Sequence, residues 1–180
     1  MAYLTSERTE LVNYLDKTRD DLVAALADLS LAQLNFQISP QCWSIGGVVE
    51  HIALVEDAVI TKVLQEIASA PSVTADGKKN VTDASLLKKA GDRSVKLEAP
   101  GQFHPIGKSM ATSLEQFLRG RTKIVDFVQS TPLDLRQISF ETRAFGVLDG
   151  HQRLLFLAAH SARHTGQIIE TKSNPNFPAP

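Results

Sequence analysis

The chain has 180 residues, of which 43% are hydrophobic and 22% are charged, as in an ordinary globular domain with one core. Its 19 Lys and Arg nearly balance 20 Asp and Glu, and no basic cluster supplies the surface that nucleic-acid binding requires. No stretch approaches the roughly 18 to 20 apolar residues that span a bilayer, and no signal peptide is recognisable. We therefore predict one domain over residues 1–180, located in the cytoplasm, with neither nucleic acid nor membrane as a partner.

Four segments show the apolar spacing of amphipathic helices. The first runs from Ser6 to Leu29, the second from Ile45 to Ala68 and the third from Met110 to about Val128. The fourth is capped by Asp149 and ends before Pro175. Four such segments without convincing alternating strands predict an all-α fold, a four-helix bundle.

The connection between the second and third helices is unusually long. From Ala70 to Gly107 it contains three prolines and four glycines, so we predict a crossover that runs the length of the bundle. Within it we expect a short helix from Asp83 to Ala90, with Asp83 as its cap and Gly91 as its terminator. In the next connection Ile138 to Phe140 could be extended, but we expect no sheet there.

Three histidines are predicted to point into the bundle. His160 and His164 are four residues apart, about 40° around a helix, and they share its apolar side. His51 lies on the apolar side of the second helix. Burying three imidazoles without polar partners would cost a few kcal/mol each, and one shared cation would satisfy them all. With a single cysteine, Cys42, no thiolate cluster is available, so these histidines are the predicted metal ligands, against the alternative of three separately satisfied core histidines.

Other polar residues near this pattern receive weaker predictions. Gln167 lies about 20° from His160 and could hydrogen-bond a ligand or a substrate, although packing is equally compatible. Glu56 lies about 140° from His51, so it would either orient a ligand or face a neighbouring helix. His151, about 180° from His160, should point away from the site as a surface or packing histidine. His104 lies in the crossover, where we expect an exposed or loop-packing role.

Two segments together resemble a known family. WSIGGVVEHIALVE and, about a hundred residues later, HSARHTGQI are similar to motifs of the DinB/YfiT-like superfamily of metal-binding four-helix proteins. The resemblance implies a divalent metal, often zinc or nickel, on His51, His160 and His164. It also implies a small-molecule substrate, since the family includes transferases that use a low-molecular-weight thiol, alongside many members described only as metal-dependent hydrolases.

Three hypotheses about function follow. The first is a metal-dependent thiol S-transferase or hydrolase, because three protein ligands leave a coordination position open for water or substrate. The second is a non-catalytic metal or small-ligand binding protein, because no acid, base or substrate clamp is assignable from the sequence. The third is an interaction module that forms a homodimer through exposed apolar helix faces.

Overall fold

The computed structural model describes residues 3–67, 81–94, 98–142 and 145–179. Four long helices make up the bundle, and two short helices lie in the connections between them. In chain order the six are α1 (Thr5–Leu26), α2 (Leu31–Asn35), α3 (Ile45–Ile67), α4 (Asp83–Gly91), α5 (Met110–Ser130) and α6 (Gly150–Lys172). The predicted four-helix bundle is confirmed. None of the described helices is long and apolar enough to cross a bilayer.

The order of the helices around the bundle differs from their order in the chain. Helix α1 packs against both α5 and α6, and so does α3. The first two long helices of the chain, α1 and α3, therefore lie diagonally opposite each other in the bundle. Tyr3 contacts His151 near the start of α6, and Lys172 at its end donates to the Ala25 carbonyl, so α1 and α6 run parallel. Because Arg8 donates to the carbonyl of Val128, α5 runs the opposite way to α1.

The predicted crossover is also confirmed, and its path brings it to the histidines. Helix α4 packs along α6, from Asp83, which accepts a hydrogen bond from Gln152, to Arg93, which pairs with Glu170. The chain then passes over the first turns of α3 before it enters α5. Helices α3 and α5 are therefore parallel, as a long return connection requires.

Several helix ends differ from the prediction, among them the end of α4, which includes Gly91, the predicted terminator, and is capped by Asp92. Helix α1 ends at Leu26 rather than Leu29, because Asp28 adopts a left-handed conformation (φ 58°) and the chain turns there. The cap of α4 is Thr82 rather than Asp83, since the Thr82 side chain accepts from the Ser85 backbone in a reciprocal capping box. Ala68, the predicted last residue of the second helix, lies outside the described residues.

A β-hairpin stands where we expected no sheet. Strand β1 (Ser139–Thr142) pairs antiparallel with β2 (Gly146–Asp149), and Phe140 lies opposite Leu148. Both of these side chains are buried in the core, so the hairpin closes the end of the bundle where α6 begins. With only four residues each, the strands are too short for alternation in the sequence to reveal them.

Candidate metal centre

His51, His160 and His164 come together between α3 and α6. The Nε2 atoms of His51 and His160 are 3.2 Å apart, and one ring nitrogen from each histidine lies within 4.8 Å of the others. Ring centroids are 4.5 to 5.1 Å apart for the three pairs. The helical spacing predicted this convergence of the HxxxH pair with a residue 109 positions earlier in the chain.

A backbone carbonyl fixes the proton of His51. Its Nδ1 donates to the Phe103 carbonyl oxygen at 2.8 Å, in the segment of the crossover that passes over α3. A neutral imidazole with its proton on Nδ1 carries a lone pair on Nε2, the atom that faces His160. In this orientation His51 could bind a cation through Nε2.

The side chain of Gln167 fixes the position of the proton on His164 in the same way. The Nδ1 of His164 donates to the Gln167 Oε1 atom at 2.9 Å, one turn further along α6. Such outer hydrogen bonds hold the tautomer and the ring orientation of metal-binding histidines. Of the alternatives left open for Gln167, the structure shows a hydrogen bond to one of the three histidines.

All three imidazoles are held in their neutral form. Burial lowers the pKa of His51 and takes that of His160 well below its ordinary value. Burial, together with the neighbouring His51, lowers the pKa of His164 to about 4. Since only neutral imidazole binds metals, the site is ready to accept a cation at neutral pH.

The donor set fits a divalent transition metal. Imidazole nitrogens suit zinc, nickel, copper and iron(II), so the chemistry of the site does not select among them. Within the described part of the chain, no carboxylate or thiolate joins the three histidines. Three protein ligands leave at least one coordination position for an exogenous molecule.

Aromatic rings flank the histidines on both sides. The Trp43 ring packs on His51 with centroids 4.8 Å apart, and Phe156 lies 5.8 Å from His160. His104 is exposed, packs edge-on against Trp43 and donates or accepts no bond within the histidine group. Its predicted role outside the ligand set agrees with this position.

Glu56 and His151 both lie away from the three histidines. Of the two alternatives for Glu56, the structure shows the second, because the side chain faces α5 and accepts from Arg121 Nε at 2.7 Å. His151 points away from the site as predicted, and it is a buried packing residue whose Nδ1 is hydrogen-bonded to the Tyr3 hydroxyl.

Two residues near the site were not identified from the sequence. The Phe103 carbonyl carries no side-chain signal, and only the tertiary fold brings it to His51. Glu50 is a buried carboxylate directly before His51, and it binds the crossover rather than the histidines. A charged residue on an otherwise apolar stretch of helix, as in VVEHIA, was the available signal for Glu50.

Comparisons with known proteins agree with this fold. The sequence model of the DinB protein superfamily matches residues 14–168 of this chain. YfiT from Bacillus subtilis, described as a probable metal-dependent hydrolase with an unusual four-helix bundle topology, aligns with a TM-score of 0.65 and 12% identity over 94% of this chain and 88% of that one. TT2238, described as a four-helix bundle protein, aligns with a TM-score of 0.56 and 21% identity over 91% and 98% of the two chains.

No curated protein sequence matches the chain. The two structural relatives share too little sequence to carry more than the fold. The superfamily match, in contrast, covers most of the chain, including His51, His160 and His164. The chain therefore belongs to the DinB superfamily.

Proposed function

We propose that this protein is a metal-dependent enzyme in which His51, His160 and His164 bind one divalent ion, with zinc or nickel as the expected metals. The observation that carries the proposal is the outer hydrogen bonding of His51 and His164. Both rings place their protons on Nδ1, toward Phe103 and Gln167, and this leaves the lone pair of each ring on Nε2 to bind an ion. Two such bonds support a site built for a cation rather than three independent core histidines.

The chemistry we propose is activation of a small nucleophile at the open position. A divalent cation supplies Lewis acidity, which lowers the pKa of a coordinated water or thiol toward neutrality. The protein then needs no nucleophile of its own; its histidines hold the ion while Phe103 and Gln167 keep the ligand rings in place. The expected substrates are a low-molecular-weight thiol with an electrophile, in a transferase, or an ester or amide, in a hydrolase.

The hydrolase alternative gains support from YfiT, which is described as a probable metal-dependent hydrolase. Both reaction classes can be tested together. Metal-free protein, reloaded separately with zinc and nickel, is assayed against a panel of thiol and electrophile pairs and against simple esters and amides. We expect turnover that disappears with EDTA, returns with one of the metals and is absent from His160→Ala. Turnover that EDTA does not affect would contradict the proposal.

A non-catalytic metal-binding protein is the second candidate, and one observation favours it. The two buried carboxylates closest in sequence to His51 are already engaged, Glu50 by backbone amides and Glu56 by Arg121. Neither is available as a general base for a substrate at the histidines. Stoichiometric binding of metal and thiol, without turnover in any assay of the panel, would support this candidate over an enzyme.

A further inference from the structure

Glu50 holds the crossover against α3 with an unusual concentration of hydrogen bonds. Its side chain is 1% exposed. One carboxylate oxygen accepts from the Ile106 backbone N–H at 3.1 Å, and the other accepts from Gly107 at 3.0 Å and Lys108 at 3.1 Å. Three consecutive amides of the connection thus converge on one buried carboxylate, which we call the Glu50 clamp.

The backbone of the crossover is shaped for this clamp. Gly107 has a φ of +90°, a conformation that side-chain-bearing residues rarely adopt, and this allows the three N–H groups to point the same way. Pro105 lies so close to α3 that a Cβ atom on Gly47 would be 3.4 Å from the proline ring. Hydrogen bonds to an ionised carboxylate are about twice as strong as neutral ones, so the segment is firmly attached.

The clamp lies next to the group that orients His51. Phe103, whose carbonyl accepts from His51 Nδ1, ends a short 3-10 turn (Gly101–Phe103) and is separated from Ile106 by only His104 and Pro105. A proline allows little freedom at its own φ and restricts the residue before it. The position of the Phe103 carbonyl therefore depends on where the clamp holds the following amides.

We propose that Glu50 is a positioning residue for the metal centre. By holding residues 106–108 on α3, it keeps the Phe103 carbonyl on His51 Nδ1 and so keeps the lone pair of His51 on Nε2. This inference rests on the proposed function of the three histidines. Glu50 is not itself a ligand, because its oxygens accept from three amides and it does not belong to the histidine group.

The expected consequence of losing the clamp is chemical as well as structural. A neutral imidazole that has lost its Nδ1 partner exchanges its proton between both ring nitrogens. The tautomer with the proton on Nε2 cannot bind a cation through that atom. Weakening the clamp should therefore lower metal affinity by changing the tautomer of His51, with the fold of the bundle retained.

Glu50→Gln tests this directly, because the substituted amide NH2 group cannot accept a hydrogen bond and must face at least one backbone N–H. Nitrogen-15 spectra of the metal-free protein report the tautomer of each histidine, and cobalt titration reports the affinity. We expect His51 to lose its uniform Nδ1–H tautomer and the cobalt Kd to rise about tenfold, the lower end of the effect of outer-sphere partners.

A matched control is Glu115→Gln on α5, since Glu115 is 67% exposed and pairs only at the surface with Arg119. It should leave both the tautomer and the Kd unchanged. A second variant, Gly107→Ala, strains the clamp from the other side, because its φ of +90° disfavours a side chain while its Cβ would meet no described residue within 4 Å. It decides the question if Glu50→Gln does not fold.

A folded Glu50→Gln variant in which His51 keeps its Nδ1–H tautomer and its wild-type cobalt Kd would overturn the inference. The two readouts also separate it from the proposed function. If the wild-type protein binds no cobalt, the proposed function fails, whereas the tautomer of His51 in metal-free protein still tests what Glu50 does.

Discussion

Arg121 and Glu56 form an ion pair at the centre of the bundle, where their side chains are 0% and 2% exposed. The guanidinium of Arg121 also donates to the Leu15 carbonyl and the Thr18 hydroxyl on α1, and to the Ser161 hydroxyl on α6. One side chain on α5 thus bonds the other three long helices. Ser161 is the residue after His160, so this network lies close to the histidine site.

Loss of the arginine should strongly destabilise the fold. Removing one partner of a buried, hydrogen-bonded pair costs about 3–5 kcal/mol, and loss of Arg121 also leaves its buried hydrogen-bond acceptors on three helices without a donor. We expect Arg121→Met to lower the free energy of unfolding by that amount in urea denaturation. Arg119→Met, two residues earlier and in an exposed pair, should cost less than about 1 kcal/mol. Similar losses from the two variants would contradict the central role of Arg121.

The pH dependence of stability should carry a signature of Glu56. Burial raises the pKa of its carboxyl from 4.5 to about 7, although Arg121 opposes the shift, and the Glu56 Oε2 atom has no hydrogen-bond partner among the described residues. The folded protein therefore binds a proton more tightly than the unfolded chain does. The stabilisation is fully present below about pH 4.5 and is lost as the pH rises to about 7, with an upper limit of roughly 3 kcal/mol.

The buried histidines give the opposite slope, so the comparison must be with a variant. We expect the stability difference between wild type and Glu56→Gln, both metal-free, to decrease from pH 5 to pH 7.5 in urea denaturation at each pH. A difference that stays constant, or that increases over this range, would show that Glu56 remains ionised in the folded protein.

The histidines on α6 should separate into two groups on substitution. We expect His160→Ala to lose most of its bound metal, measured by elemental analysis of protein purified without a histidine tag. The His151→Ala variant should keep its metal. Its free energy of unfolding should be about 1–3 kcal/mol lower, because the buried Tyr3 hydroxyl loses its partner. Equal metal loss from the two variants would contradict the proposal that His160 binds the metal and His151 does not.

Cobalt-substituted protein should report the open coordination position. Because the group that could hold an ion in the described residues consists of three histidines, an ion bound there would have room for azide or a small thiol. We expect either one to change the visible absorption spectrum without releasing cobalt, as checked by dialysis. An unchanged spectrum with both would mean that the position is closed, and the enzyme proposal would lose its main support.

The sequence was sufficient for the histidine site but not for its surroundings. Counting about 100° per residue placed His160 and His164 on one side of α6 and His151 on the other, because helical geometry is local. The Phe103 carbonyl and Glu50 meet α3 only through the return of the crossover, which no local pattern encodes. Arg121 lies on the same side of α5 as Phe117 and Ile124, yet its partners come from three other helices.

The contact between α3 and α6 joins histidines that are far apart in the sequence, and this separation bears on the kinetics of folding. His51 and His160 are 109 residues apart, so their contact requires closure of a long loop, and we expect it to be absent from the transition state for folding. An ion held by both helices would stabilise the native state much more than the transition state. We expect saturating zinc to slow unfolding in stopped-flow experiments and to leave the folding rate nearly unchanged. The metal would then lengthen the lifetime of the folded bundle without accelerating its formation.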